Sequence, residues 1–251
     1  MSNDEGYAVQ VPPLAAVANA AKDRLAFALD VDDLDQARGW VARLAPHVGV
    51  FKIGLELFVR FGPRAVDVVR EAGGRCFLDL KLHDIPETVG RAVRSAAETG
   101  AEFLTVHASG GRSMLERAAI DADGRVKLLA VTALTSLDDR ALADLGFHGN
   151  AEDAVRRWTA IAVASAVRGV VCSAREAQGI RATFPDVFIV TPGIRPAGSD
   201  AGDQARIASA FDAVRAGADL LVVGRPIRDA KDPEAAASAL VKEIESALAM
   251  R

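Results

Sequence analysis

Eight short runs rich in Val, Ile, Leu and Phe recur along this chain, and most successive runs are separated by stretches with the amphipathic spacing of a helix. The runs cover 24–30, 48–54, 75–81, 102–107, 126–132, 169–173, 187–191 and 219–224, with good helix formers filling 34–44, 65–72, 88–99, 151–167 and 205–216. Strand followed by helix throughout demands a parallel sheet, because neighbouring strands then run the same way only by crossing over through a helix. The runs are nearly continuous in apolar residues rather than alternating, the pattern of strands covered on both faces. Eight such units closing on themselves make an α/β fold, a single-domain (β/α)8 TIM barrel; a doubly wound open sheet is the alternative. A length of 251 residues suits one such barrel. Residues 1–22 read as a loosely ordered N-terminal extension, since Asn3, Asp4, Glu5, Gly6 and the Pro12-Pro13 pair discourage regular structure, and the barrel domain is expected over 23–251.

Charge and cysteine content narrow the function classes. The formal net charge of −4 argues against a strongly basic nucleic-acid binder. No run approaches the roughly 20 apolar residues of a membrane span, and acids stand near the start where a secretory signal carries basic residues. Cys76 and Cys172 both lie in apolar runs, too far apart for a zinc spacing, and read as inert core thiols in a reducing compartment. A cytoplasmic protein is expected.

Polar residues cluster where the runs stop: Asp30, Lys52, Asp79 with Lys81, His107, Thr132 with Thr135, Thr191 with Arg195, and Gly224 with Arg225. A parallel barrel brings all eight carboxyl ends to one rim, so these residues converge on a single site. Within Phe77-Leu-Asp-Leu-Lys-Leu-His-Asp-Ile-Pro86, the alternation of a strand puts Asp79 and Lys81 on one side and Leu78, Leu80 and Leu82 on the other. Two opposite charges therefore project into one space, and Asp84 follows just before the Ile85-Pro86 break. A solvated ion pair is the ordinary reading of Asp-x-Lys; its place at the end of a buried strand favours chemistry instead. The chain holds 24 arginines and only 6 lysines, yet Lys52 and Lys81 both stand at strand ends. Lysine can surrender a proton, whereas arginine effectively cannot. Gly224-Arg225 ends the eighth run, where loops of such barrels often hold phosphate. The Gly- and Pro-rich stretch 191–204 is long for its place and reads as a closing lid, with a mobile surface loop as the alternative.

These motifs, taken in order, resemble the orotidine 5′-monophosphate decarboxylase family. The resemblance runs from about Arg24 to the C-terminus, through Ala-Leu-Asp30, Phe-Lys52-Ile-Gly, Phe-Leu-Asp79-Leu-Lys81-Leu-His-Asp84-Ile-Pro, Val-His107-Ala-Ser-Gly-Gly, Val-Thr-Ala-Leu-Thr135-Ser, Val-Cys-Ser-Ala, Thr-Pro192-Gly-Ile-Arg195-Pro and Val-Gly224-Arg225-Pro. It implies a decarboxylase that makes uridine 5′-monophosphate, without metal or cofactor, and works as a homodimer. The family's alternating charge array falls on Lys52, Asp79, Lys81 and Asp84. Asp84, with Ile85 and Thr88, is implied to reach the neighbouring subunit's site. Asp30 and Lys52 match positions that hold ribose hydroxyls, Thr135 and Pro192 positions around the pyrimidine, and Gln204, Gly224 and Arg225 positions on the phosphate; Arg195 matches a less uniform position near the phosphate.

Two rival functions stay open on the sequence. Related barrels that act on sugar phosphates share Asp-x-Lys-x-x-Asp but use magnesium and carry a glutamate ligand where Lys52 stands; a cation there would repel the metal. A catalytically silent nucleotide-binding barrel is the other. His83 and His107 read as packing and hydrogen-bonding groups near the rim, and Trp40 and Trp158 as core.

Overall fold

The computed structural model describes residues 20–195 and 208–250. Most of the N-terminal extension, and Gln204 with the larger part of the expected lid, lie outside the described residues. Eight parallel strands close into a barrel in chain order, each hydrogen-bonded to the next and β8 to β1. They are β1 (Leu25–Leu29), β2 (Val50–Ile53), β3 (Arg75–Leu82), β4 (Phe103–His107), β5 (Lys127–Val131), β6 (Gly169–Val171), β7 (Phe188–Thr191) and β8 (Leu220–Val223). Each falls within an apolar run read from the sequence or extends it by a single residue. The closed order excludes the open doubly wound sheet.

Eleven α-helices among the described residues surround the barrel. α1 (Leu34–Leu44) follows β1; α2 (Leu55–Phe61) and α3 (Arg64–Glu71) follow β2; α4 (Pro86–Glu98) follows β3; α5 (Gly111–Ala122) follows β4. α6 (Asp139–Asp144) and α7 (Ala151–Ala164) follow β5; α8 (Ala174–Thr183), α9 (Ala210–Arg215), α10 (Arg225–Arg228) and α11 (Pro233–Ala249) complete the circuit. Their starts are written in the sequence. Asp33, Asp138, Asn150, Ser209 and Asp232 each accept a backbone N–H of the first turn, and Pro86 and Pro233 open their helices where no N–H is required.

Strand parity divides the core in two. Ala26, Val50, Phe77, Phe103, Leu129, Phe188, Val190 and Leu220 pack together inside the barrel, while a larger buried shell lies between strands and helices. Phe103 stands at the centre of the inner layer, fully buried, 5.7 Å from the Phe188 ring and 6.0 Å from Phe77. Below it, at the amino ends of the strands, Glu102 accepts from Arg75 at 2.6 Å and from Lys127 at 2.8 Å, and both cations lie against the Phe103 ring. That end is filled. The inward parity set by Val50, Phe77 and Phe103 then delivers, two residues further up each strand, Lys52, Asp79 and Thr105. The polar upper layer thus follows from the apolar lower one.

Phe103 carries much of this inner packing, so Phe103→Ala is expected to cost about 3–5 kcal/mol of stability through lost burial and the cavity left behind. Urea unfolding checks this; a loss below about 1 kcal/mol would contradict the central place given to that ring.

Candidate active site

A cavity of about 430 Å3 opens at the carboxyl ends of the strands, within the usual size for a small-molecule site. Its lining includes Asp30, Lys52, Asp79, Lys81, Thr135, Pro192, Arg195, Gly224 and Arg225. Nine residues singled out from the sequence are therefore brought together from β2, β3, the loops after β1, β5, β7 and β8, and the start of α10. Val131, Val171, Val190 and Val222 give it an apolar wall.

Four charges alternate across the floor. Lys52 Nζ lies 3.5 Å from Asp30 Oδ1 and 3.6 Å from Asp79 Oδ2, and Lys81 Nζ lies 2.8 Å from Asp79 Oδ1. Lys52 and Asp79 are largely buried, Lys81 is one-third exposed toward the cavity, and Asp30 is at the open edge. Burial would raise the Asp79 carboxyl, but the Lys52 and Lys81 ammoniums, aided by hydrogen bonds from Lys81 and Thr105, outweigh it and hold the carboxyl below its ordinary value. Asp79 is ionised, and its charge in turn pins both ammoniums.

The strand alternation expected for Asp79 and Lys81 does not continue to the end of β3. The β3–β4 pairing runs through Phe77–Phe103 and Leu78–Leu104, shifts, and resumes at Leu82–Val106. Lys81 adopts φ 50°, a left-handed conformation that favours glycine. A kinked backbone, rather than a regular pleat, turns its ammonium back to Asp79. Thr105, fully buried on β4, accepts the Lys81 backbone N–H at 2.8 Å and donates to Asp79 Oδ1 at 3.1 Å.

Asp84, Ile85 and Thr88 do not line the cavity of their own chain. Asp84 and Ile85 are exposed, Ile85 to 67%, on the turn into α4, and Thr88 is half-buried in its first turn. Two residues, one lining the cavity and one buried behind Asp79, went unread in the sequence. Arg228, one turn after Arg225 on α10, lines the cavity and donates to the Asp30 carbonyl at 3.4 Å while paired with Asp229; its i,i+3 spacing from Arg225 was the available signal. Thr105 looks like any β-branched strand residue and carries no such signal.

Both cysteines are buried free thiols. Burial pushes the Cys76 thiol up to about 12 and the Cys172 thiol higher still, so Cys172, although it touches the cavity, stays protonated. His83 and His107 lie ring to ring at 5.3 Å beside the rim. Burial lowers His107, with the neighbouring His83 and Lys81 acting in the same direction. Among the described residues no three His, Cys, Asp or Glu are grouped to hold a metal ion, and no helix is long and apolar enough to cross a membrane.

The profile of the orotidine 5′-phosphate decarboxylase / HUMPS family matches residues 23–240. The chain is 53% identical over 223 residues to an orotidine 5′-phosphate decarboxylase of Thermobifida fusca, spanning 88% of this chain and 95% of that one. It is 49% identical over 236 residues to the Moorella thermoacetica protein of the same name, spanning 90% and 93%. The crystal structure of orotidine 5′-phosphate decarboxylase from Lactobacillus acidophilus superposes with a TM-score of 0.79 at 35% identity, over 88% of this chain and 99% of that one. With the fold, the rim cavity and these likenesses in agreement, the chain belongs to the orotidine 5′-phosphate decarboxylase / HUMPS family.

Proposed function

We propose that this enzyme, a carboxy-lyase, converts orotidine 5′-monophosphate to uridine 5′-monophosphate and CO2 in pyrimidine nucleotide synthesis, without metal or coenzyme. The observation that carries this reading is the row Asp30–Lys52–Asp79–Lys81, with Lys81 held 2.8 Å from Asp79 at the cavity floor. The named activity of the relatives supports the same substrate.

Loss of CO2 breaks the bond between the carboxylate carbon and C6 and leaves its electron pair on C6, in the ring plane, where the π system cannot delocalise it. A fixed cation must face that charge. Lys81 supplies it and then gives C6 a proton, becoming a neutral amine that solvent recharges. A unit charge about 4 Å away is worth roughly 4 kcal/mol at an effective dielectric near 20, several times its value in water. Asp79 lies beside the substrate carboxylate in this reading, a like-charge contact that ends when neutral CO2 leaves. Preorganisation of the row supplies the larger effect, because its charges are in place before reaction. Asp30 and Lys52 hold the ribose, Thr135 and Pro192 flank the ring, and Gln204, Gly224 and Arg225, with Arg195 nearby, take the phosphate. Phosphate binding far from C6 supplies binding energy that offsets the cost of ordering the site.

The working unit is a homodimer, with Asp84, Ile85 and Thr88 completing the partner's site. Support comes from the exposure of Asp84 and of Ile85, a large apolar residue beside a charged one. Buried free thiols fit a cytoplasmic setting.

Loss of absorbance on adding orotidine 5′-monophosphate tests the reaction directly. Turnover unchanged after dialysis against a chelator is expected; saturable binding without turnover, or activity abolished by the chelator, would overturn the reading. Arg225→Ala should lower turnover of the full substrate at least about tenfold more than that of a substrate lacking phosphate, the loss of a charge-assisted hydrogen bond; equal losses would remove the phosphate role. Mixing Lys81→Ala with Asp84→Ala protein should restore activity in hybrid dimers, whereas none would mean self-contained subunits.

Asp79 also sets an acid limit. Its carboxyl lies below the ordinary 3.8, so the stability its charge contributes is fully present above that value and is lost as pH falls through the lower native one. The gap in thermal midpoint between parent and Asp79→Asn should therefore stay constant from about pH 8 to about pH 5 and narrow only below about pH 4. Narrowing already between neutrality and about pH 5 would contradict the lowered carboxyl.

A further inference from the structure

We propose that Thr105 is a positioning residue, whose buried hydroxyl ties the backbone of Lys81 to the carboxylate of Asp79 and so fixes where the Lys81 ammonium stands. The inference rests on the proton-donor role given to Lys81 above and extends it to a residue outside the charge row.

Three observations converge on that hydroxyl. Between the paired positions Leu78–Leu104 and Leu82–Val106, β3 carries three residues, Asp79, Leu80 and Lys81, and β4 carries Thr105 alone. The ladder is open at this point, and a side-chain oxygen takes the place of a strand carbonyl for the Lys81 N–H. Lys81 also sits at φ 50° without being glycine, a conformation that persists only when its surroundings hold it. Finally, the polarity of the contacts is fixed by chemistry. A backbone N–H only donates and an ionised carboxylate only accepts, so the hydroxyl accepts from Lys81 at 2.8 Å and donates to Asp79 Oδ1 at 3.1 Å. Asp79 Oδ1 is the same oxygen that the Lys81 ammonium meets at 2.8 Å. The hydroxyl thus closes a small loop: backbone of Lys81, Thr105, carboxylate of Asp79, ammonium of Lys81. No substrate contact is assigned to Thr105.

Removing the hydroxyl leaves the Lys81 N–H without its acceptor and frees the kinked backbone to relax. A displacement near 1 Å at a reacting group can cost about a hundredfold in rate. Thr105→Val keeps the shape and deletes the hydroxyl; Thr105→Ser keeps the hydroxyl and deletes the methyl. Two readouts are needed: kcat and KM for orotidine 5′-monophosphate, and exchange of the Lys81 backbone amide followed by NMR. Thr105→Val should lower kcat about ten- to hundredfold with KM within about threefold, and should speed Lys81 amide exchange. Thr105→Ser should restore both to within about threefold of the parent. A Val variant with parental kcat or parental amide protection overturns the proposal, as does a Ser variant as impaired as Val. Equal damage to kcat and to affinity for UMP also overturns it, because a collapsed site, rather than a misplaced ammonium, would explain the loss. If Thr105→Val does not fold, Thr105→Ala replaces it, and the Ser-against-Ala comparison decides in the same way. A parent that turns over no orotidine 5′-monophosphate refutes the decarboxylase reading and any catalytic role here with it; amide protection then decides the geometry separately.

Discussion

One carboxylate between two ammoniums governs this molecule. Asp79 lies 3.6 Å from Lys52 and 2.8 Å from Lys81, inside a barrel whose lower half is closed by aromatic rings. Burial alone would raise the Asp79 carboxyl, and the two ammoniums outweigh it. Together they stay charged, and a field aimed at the cavity persists without substrate. The protein's contribution to chemistry is then largely made at folding, since the dipoles and charges need no rearrangement during reaction.

The barrel makes that arrangement affordable by dividing its interior. Phe77, Phe103 and Phe188 fill the lower layer, and the same strand parity carries Lys52, Asp79 and Thr105 to the upper one. Apolar packing below fixes the strands whose ends hold the charges above. The ion cluster of Arg75, Glu102 and Lys127 lies at the opposite end of the barrel, with both cations against the Phe103 ring.

Much of this was legible beforehand. The eight apolar runs matched the strands closely because a doubly covered parallel strand is apolar along its length, and charges at strand ends have no low-cost place other than the rim. Asp30, Lys52, Asp79, Lys81 and Arg225 could be read for that reason. The backbone of Lys81 could not: nothing local marks a lysine as left-handed when no glycine is present, and the register shift opposite Thr105 is a long-range property of two strands. Thr105 escaped notice because its role lies in a hydroxyl that meets residues 24 and 26 positions away. Asp84, Ile85 and Thr88 are read as site residues by resemblance, since within one chain they do not line the cavity. The helix expected over 205–216 appears among the described residues only from Ala210, where Ser209 caps it.

The proposed chemistry rests on the charge of residue 81. Turnover of orotidine 5′-monophosphate by Lys81→Met, measured alongside UMP affinity on folded protein, tests it most directly. Loss of a cation facing the C6 anion should slow the reaction at least about a thousandfold, the equivalent of roughly 4 kcal/mol, while UMP still binds. A methionine variant that works at the parental rate would contradict it.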